Sequence, residues 1–207
     1  MATKKILLIG DSITDCGRRE DQEGLGYGYV RILHDYLVTT YPSTNYQIVN
    51  TGIGGDRVTD LAARWQTDVI AHQPDYVSIS IGINDVWRQL DRPEIEQVTP
   101  EIFHQVYVKL LTQVKEETNA QIVLMEPTII EEDIESTGNK MLKDYVEIVT
   151  NLAQQFDATI VPTHQAFIKY LQAENNYKLT TDGVHMNSTG NMLMATTWLR
   201  AFEERLK

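Results

Sequence analysis

The chain has 207 residues, 42% hydrophobic and 23% charged, a length and balance that predict one globular domain over 1–207. No repeat, linker or low-complexity tract divides it. Its net charge of −11, from 29 acidic against 18 basic residues, argues against nucleic acid or an anionic membrane as a partner, because both would repel it.

The first predicted element is Lys5–Gly10, a short apolar run of the kind buried on both faces in a parallel sheet. Its apolar part, Ile6 to Ile9, is too short for a secretory signal, and no stretch reaches membrane-spanning length. A single cysteine, Cys16, excludes an internal disulfide and makes no metal cluster. Together these features predict a cytoplasmic protein. Val30, Leu33 and Leu37 recur at helical spacing, and Gln47–Asn50 follows as a second strand. Val58, Leu61, Trp65 and Val69 predict a helix before a strand at Tyr76–Ile81. Ile102, Val106, Leu110 and Val114 predict another before Gln121–Met125. The acidic run Glu131-Glu132-Asp133-Ile134-Glu135 reads as a solvated loop that could rim a site. Leu142, Val146, Val149, Leu152 and Phe156 mark a helix, and Thr159–Val161 a fifth strand. Met194, Trp198 and Phe202 mark a last helix, with Asn187 or Ser188 as its N-cap. Strand alternating with helix five times implies an α/β fold with a mostly parallel sheet covered on both faces.

In such sheets, sites form at the carboxyl ends of the strands. Gly10-Asp11-Ser12 follows the first strand, Gly52-Ile53-Gly54-Gly55-Asp56 the second and Gly82-Ile83-Asn84-Asp85 the third. Thr181-Asp182-Gly183-Val184-His185 precedes the last helix. A serine is a poor nucleophile until a base takes its proton and a third group orients that base. Asp182 and His185, three apart, could be orienter and base. Taken alone, that spacing also fits a surface loop whose Asp caps the final helix. A developing oxyanion needs preorganised donors, and the Ser12 N–H, a glycine N–H after the second strand and the Asn84 amide are candidates. Glycine and asparagine after strands are also ordinary turn residues.

Two familiar motifs fail on spacing. A dinucleotide fingerprint would need glycine where Arg57 stands, and a nucleophile elbow would need glycine at Thr14. Cys16 is read as an inert thiol, and His34, His72, His104 and His164 are too scattered for a metal site.

Ile9-Gly10-Asp11-Ser12, Asn50-Thr51-Gly52-Ile53-Gly54-Gly55-Asp56, Gly82-Ile83-Asn84-Asp85 and Asp182-Gly183-Val184-His185 stand in the order of the conserved blocks of the SGNH (GDSL) hydrolases. The chain resembles that family from its first strand to its last helix. The resemblance implies a three-layer α/β/α flavodoxin-like fold with a five-stranded parallel sheet. It also implies Ser12 as nucleophile, His185 as base and Asp182 as its partner. The oxyanion hole would comprise Ser12, Gly55 and Asn84. No metal or organic cofactor is expected. Met186 stands where many members have proline.

Asp11–Arg18, Ala63-Arg64-Trp65, Asp68–Ala71 and Ile81–Gln89 are similar to the bacterial acetylxylan-esterase branch, whose members deacetylate xylo-oligosaccharides. Where that branch has tryptophan before the Asp, this chain has Thr181. The expected activity is hydrolysis of short-chain acyl (acetyl) esters, on a small-molecule substrate such as an acetylated sugar. Asp11, Trp87, Arg57 and Arg88 are candidate substrate contacts. Core burial is the alternative for Trp87, and surface ion pairing for the arginines. An arylesterase, thioesterase or lysophospholipase of the same family, or a non-catalytic carbohydrate-binding module, are the competing readings. A homo-oligomer is compatible with the sequence.

Overall fold

The computed structural model describes residues 3–173 and 176–206. Five strands, β1 (Thr3–Gly10), β2 (Asn45–Asn50), β3 (Tyr76–Ser80), β4 (Gln121–Met125) and β5 (Thr159–Val161), form one sheet. Its order is β2-β1-β3-β4-β5 and every neighbouring pair is parallel. Ile6, Leu7, Leu8 and Ile9 of β1 and all of β3 are buried, which is why these strands read as unbroken apolar runs.

The helices are α1 (Ser12–Asp15), α2 (Tyr29–Thr40), α3 (Val58–Asp68), α4 (Ile83–Asp91), α5 (Pro100–Glu117), α6 (Thr137–Gln155), α7 (Thr163–Gln172) and α8 (Ser188–Leu206), with one 3-10 turn at Ile70–His72. The chain leaves β1 toward β2, then returns past β1 to β3, β4 and β5. Right-handed crossovers therefore send α2 to one face and α3 to α6 to the other. The packing agrees: α2 and α7 lie against α8, while α3 packs on α5, and α4 and α5 pack on α6. The result is the three-layer α/β/α architecture.

Three expectations need correction. The buried stripe of α5 is Phe103, Tyr107, Leu110, Leu111 and Val114, so Ile102 and Val106 sit only at its margin. In α6, Tyr145 rather than Val146 is buried between Leu142 and Val149. Helices α4 and α7 were not visible in the apolar pattern. The buried first turn of α4 contains Asn84 and Asp85, polar residues that interrupt any hydrophobic stripe. At α8, Asn187 is the cap, its side-chain oxygen accepting from Thr189 N at 2.9 Å and Gly190 N at 3.0 Å.

Candidate active site

Strand β1 connects outward to β2 while β3 connects the other way, so a crevice opens between the carboxyl ends of β1 and β3. Ser12 is the first residue after β1 and its turn, and Asn84 lies on the first turn of α4, just beyond β3. The loop after β2 lies beside them: a Cβ on Gly54 would sit 3.7 Å from the Ser12 Cβ. The segment before α8 closes the fourth side.

His185 Nε2 lies 2.9 Å from Ser12 Oγ. On its other edge, His185 Nδ1 lies 2.7 Å from Asp182 Oδ2. An ionised carboxylate only accepts, so the proton sits on Nδ1 and the Nε2 lone pair faces the serine hydroxyl. The second oxygen, Asp182 Oδ1, accepts from Val184 N at 3.0 Å and His185 N at 2.8 Å. Burial opposes the Asp182 charge, but the His185 N–H, the imidazole and the Val184 N–H outweigh it and hold the carboxyl down at about 2. Asp182 is therefore ionised at neutral pH.

Ser12 opens a helix, so its N–H has no partner in the helical ladder. Gly55 adopts φ +87°, a left-handed conformation that side chains resist, and a Cβ there would meet nothing within 4 Å. Asn84 is buried and its amide donates to the Asp56 carbonyl at 3.1 Å, which leaves a second amide hydrogen.

The four candidate substrate contacts separate. Asp11 is buried, and its Oδ1 accepts from Ile13 N at 2.9 Å, capping α1 beside Ser12. Burial raises its carboxyl to about 7, against the pull of the Ile13 N–H and of His185. Arg57 is taken by Asp60 Oδ2 at 3.3 Å and the Glu96 carbonyl at 2.7 Å, the ion-paired alternative. Arg88 pairs with Asp91, reaches Asn84 Oδ1 at 3.4 Å, and sets its guanidinium carbon 4.4 Å from the Trp87 ring centroid. Trp87 is half-buried and meets the His185 ring edge-on, centroids 5.9 Å apart. Of the four, Trp87 alone presents its side chain to the triad. His164 is buried with Nδ1 against the Thr128 carbonyl. Among the described residues, no three His, Cys, Asp or Glu side chains converge on a metal position.

Three further residues support the site through roles that the sequence did not assign to them, although Asn50 and Arg64 stand in segments that resemble the family and Glu132 in the acidic run. Arg64 donates to the Thr51 carbonyl at 2.6 Å, the Gly10 carbonyl at 3.1 Å, Asp56 at 2.7 Å and Asp68 at 2.7 Å. It thereby ties the ends of β1 and β2 to the glycine loop. Asn50 bridges the Thr14 carbonyl at 2.7 Å and the Leu25 carbonyl at 2.9 Å. Glu132, in the acidic run, accepts from Leu179 N and Thr180 N, both at 2.9 Å. That run is therefore not a merely solvated loop. The sequence signals were the family-like segments that hold Asn50 and Arg64 and the Arg64–Asp68 spacing of four on one helix.

A serine, a histidine and a carboxylate in relay at the switch point of a 2-1-3-4-5 sheet define a hydrolase of the acyl-transfer class. Residues 8–193 match the model of the GDSL-like lipase/acylhydrolase family, and the chain belongs to that family. It is accordingly a carboxylic ester hydrolase. It is 40% identical over 205 residues to an acetylxylan esterase of Geobacillus stearothermophilus, covering 95% of this chain and 93% of that one. The crystal structure of Axe2, an acetylxylan esterase of the same organism, superposes with TM-score 0.89 at 38% identity, covering 96% of this chain and 93% of its own. LAE5, an alpha/beta hydrolase enzyme from the metagenome of Lake Arreo, Spain, superposes with TM-score 0.90 at 34% identity, covering 97% of this chain and 95% of its own.

Proposed function

We infer that the protein is a serine acetylesterase acting on acetylated sugars such as xylo-oligosaccharides. The observation that carries this reading is the unbroken relay Ser12–His185–Asp182, with contacts of 2.9 and 2.7 Å. Ser12 Oγ attacks the acetyl carbonyl as His185 Nε2 takes its proton. The oxyanion receives the Ser12 N–H, the Gly55 N–H and the second Asn84 amide hydrogen. His185 then hands the proton to the departing sugar oxygen, leaving an acetyl-serine. Water, deprotonated by the same imidazole, releases acetate and restores Ser12. Asp182 supports the imidazolium formed in each half. The sugar class is supported by the relatives' activity and by Trp87 beside the triad, with Arg88 on one ring face and a sugar meeting the other.

The test is acetate release from acetylated xylo-oligosaccharides, aryl acetates and a decanoyl ester. Wild-type protein is expected to favour the acetylated oligosaccharides, and Ser12→Ala to abolish release with an unchanged melting temperature. Turnover by Ser12→Ala sinks the serine mechanism. A decanoyl preference would instead assign a lysophospholipase-like substrate.

A further inference from the structure

The base and its orienter project from a small closed loop. Thr180 and Met186 pair across it, Thr181 N donates to the His185 carbonyl at 2.8 Å, and Asn187 N donates to the Leu179 carbonyl at 3.0 Å. Leu179, Val184 and Met186 root the loop in the core, and the segment after β4 ties its base by hydrogen bonds. Glu131 N donates to the Gly183 carbonyl at 2.7 Å. Glu132 Oε1 accepts three hydrogen bonds from the base of the loop: Leu179 N at 2.9 Å, Thr180 N at 2.9 Å and Thr180 Oγ1 at 2.7 Å.

This bracket is built, not incidental. Ile129 and Ile130 bury its root. Asn139 accepts from Ile130 N at 2.9 Å and donates to the carbonyls of Glu131 at 3.1 Å and Asp133 at 2.7 Å. Ser136 Oγ donates to the Ile130 carbonyl at 2.7 Å. Glu131 holds φ +68°, a strained conformation for a residue with a side chain, and Gly183 facing it holds φ +93°. Burial disfavours the Glu132 charge, but the Thr180 hydroxyl and the Thr180 and Leu179 N–H groups outweigh it and hold its carboxyl below the usual range. The bracket is therefore charged at neutral pH, where charge-assisted bonds are strong.

We propose that Glu132 is the positioning residue of the triad: its carboxylate holds the base of the loop that aims His185 at Ser12 and keeps Asp182 on the imidazole. The idea rests on the serine-esterase reading. It extends that reading by assigning the base's alignment to a residue outside the triad loop.

The test compares Glu132→Ala and Glu132→Gln with wild type, reading kcat and KM for a soluble acetyl ester, thermal melting, and the low-field imidazole N–H resonance of His185. Misplacing a reacting group by about 1 Å costs about a hundredfold, so Glu132→Ala is expected to lose kcat on that order while KM holds. The resonance should broaden or vanish in step. Glu132→Gln keeps an oxygen at the same position without charge and should recover part of both. A normal kcat and resonance in Glu132→Ala overturn the proposal. So does a kcat loss matched by the unfolded fraction, because the role is then stability alone. Ser12→Ala run alongside separates the two ideas. If it is active, the esterase reading fails. If it is dead while Glu132→Ala is normal, only the bracket fails.

Discussion

The two halves of the triad are held in opposite ways. The nucleophile turn is fixed from inside. Asp11 caps it, Asn50 clamps the Thr14 carbonyl, Arg64 holds Gly10, and Thr14 Oγ1 meets the buried Tyr29 hydroxyl at 3.1 Å. The base loop is rooted by buried Leu179, Val184 and Met186 but turns its two polar side chains outward. The side chains of His185 and Asp182 are 38% and 49% exposed, and hydrogen bonds to the bracket after β4 hold the loop they come from. The Ser12 turn is thus tied to the core by more buried contacts than the half-exposed side chains of His185 and Asp182. Substitutions at the base should cost activity with little stability, and substitutions under the nucleophile should cost both.

The sharpest form of that contrast is Asp182→Asn. The amide oxygen can keep the Val184 and His185 N–H bonds now made by Oδ1, so the loop stays in place. The amide nitrogen then opposes His185 Nδ1, which must accept and carry its proton on Nε2. That tautomer cannot take the Ser12 proton. The expected loss in kcat is about 10⁴-fold, the scale of the equivalent change in serine proteases, with an unchanged melting curve. A melting temperature that falls with the activity would show that Asp182 also carries the loop's stability, and the contrast between the halves would break.

Under the nucleophile, Arg64→Met keeps the side-chain length and removes the donors. The carbonyls of Gly10 and Thr51 then lose a partner and Asp56 loses its counter-charge. Breaking such a half-buried network costs about 3 kcal/mol. For a chain of this size that lowers the melting temperature by roughly 6–12 °C. Turnover of an acetyl ester should fall about tenfold or more as the β1 and β2 ends loosen together. Activity lost without any thermal shift would place Arg64 with the base loop rather than with the core.

The same division explains what could be read from the sequence. Strands β1, β3 and β4 are buried on both faces and stand out as apolar runs. The four short blocks after the strands carry their chemistry in adjacent letters, so Ser12, Gly55, Asn84, Asp182 and His185 could be found as candidates before any geometry. The roles of Arg64, Asn50 and Glu132 could not, although Asn50 and Arg64 stand in family-like segments, because most of their partners are backbone carbonyls and N–H groups, which leave no mark on residue type. Position along the chain also misled: Glu132 lies in an acidic run typical of solvated loops, yet it meets Thr180 forty-eight residues later. Helix α4 hid for a related reason, since its buried turn is polar where the site needs an amide.

Beside Ser12 the interior also buries a carboxyl group that burial keeps protonated at neutral pH, and this should appear in stability rather than turnover. Asp85 is fully buried, with both carboxylate oxygens within reach of Val58 N, at 3.0 and 3.3 Å. Burial raises its carboxyl to about 8; the Val58 N–H and Arg57 pull it down, while a charge on Asp11 pushes it up. Free Asp titrates near 3.9, so between that value and about 8 the folded state binds a proton that the unfolded chain does not. Stability from this site is therefore complete below the free value and is lost as pH rises through the folded one. Asp85→Asn keeps an oxygen for Val58 and cannot ionise. Its melting temperature should decline less than that of wild type as pH rises, and should exceed it by several degrees above about pH 8. Turnover at neutral pH should stay close to wild type, because Asp85 faces α3 and not the serine. If the two melting curves run parallel across that range, the buried charge is not what limits the fold in alkali.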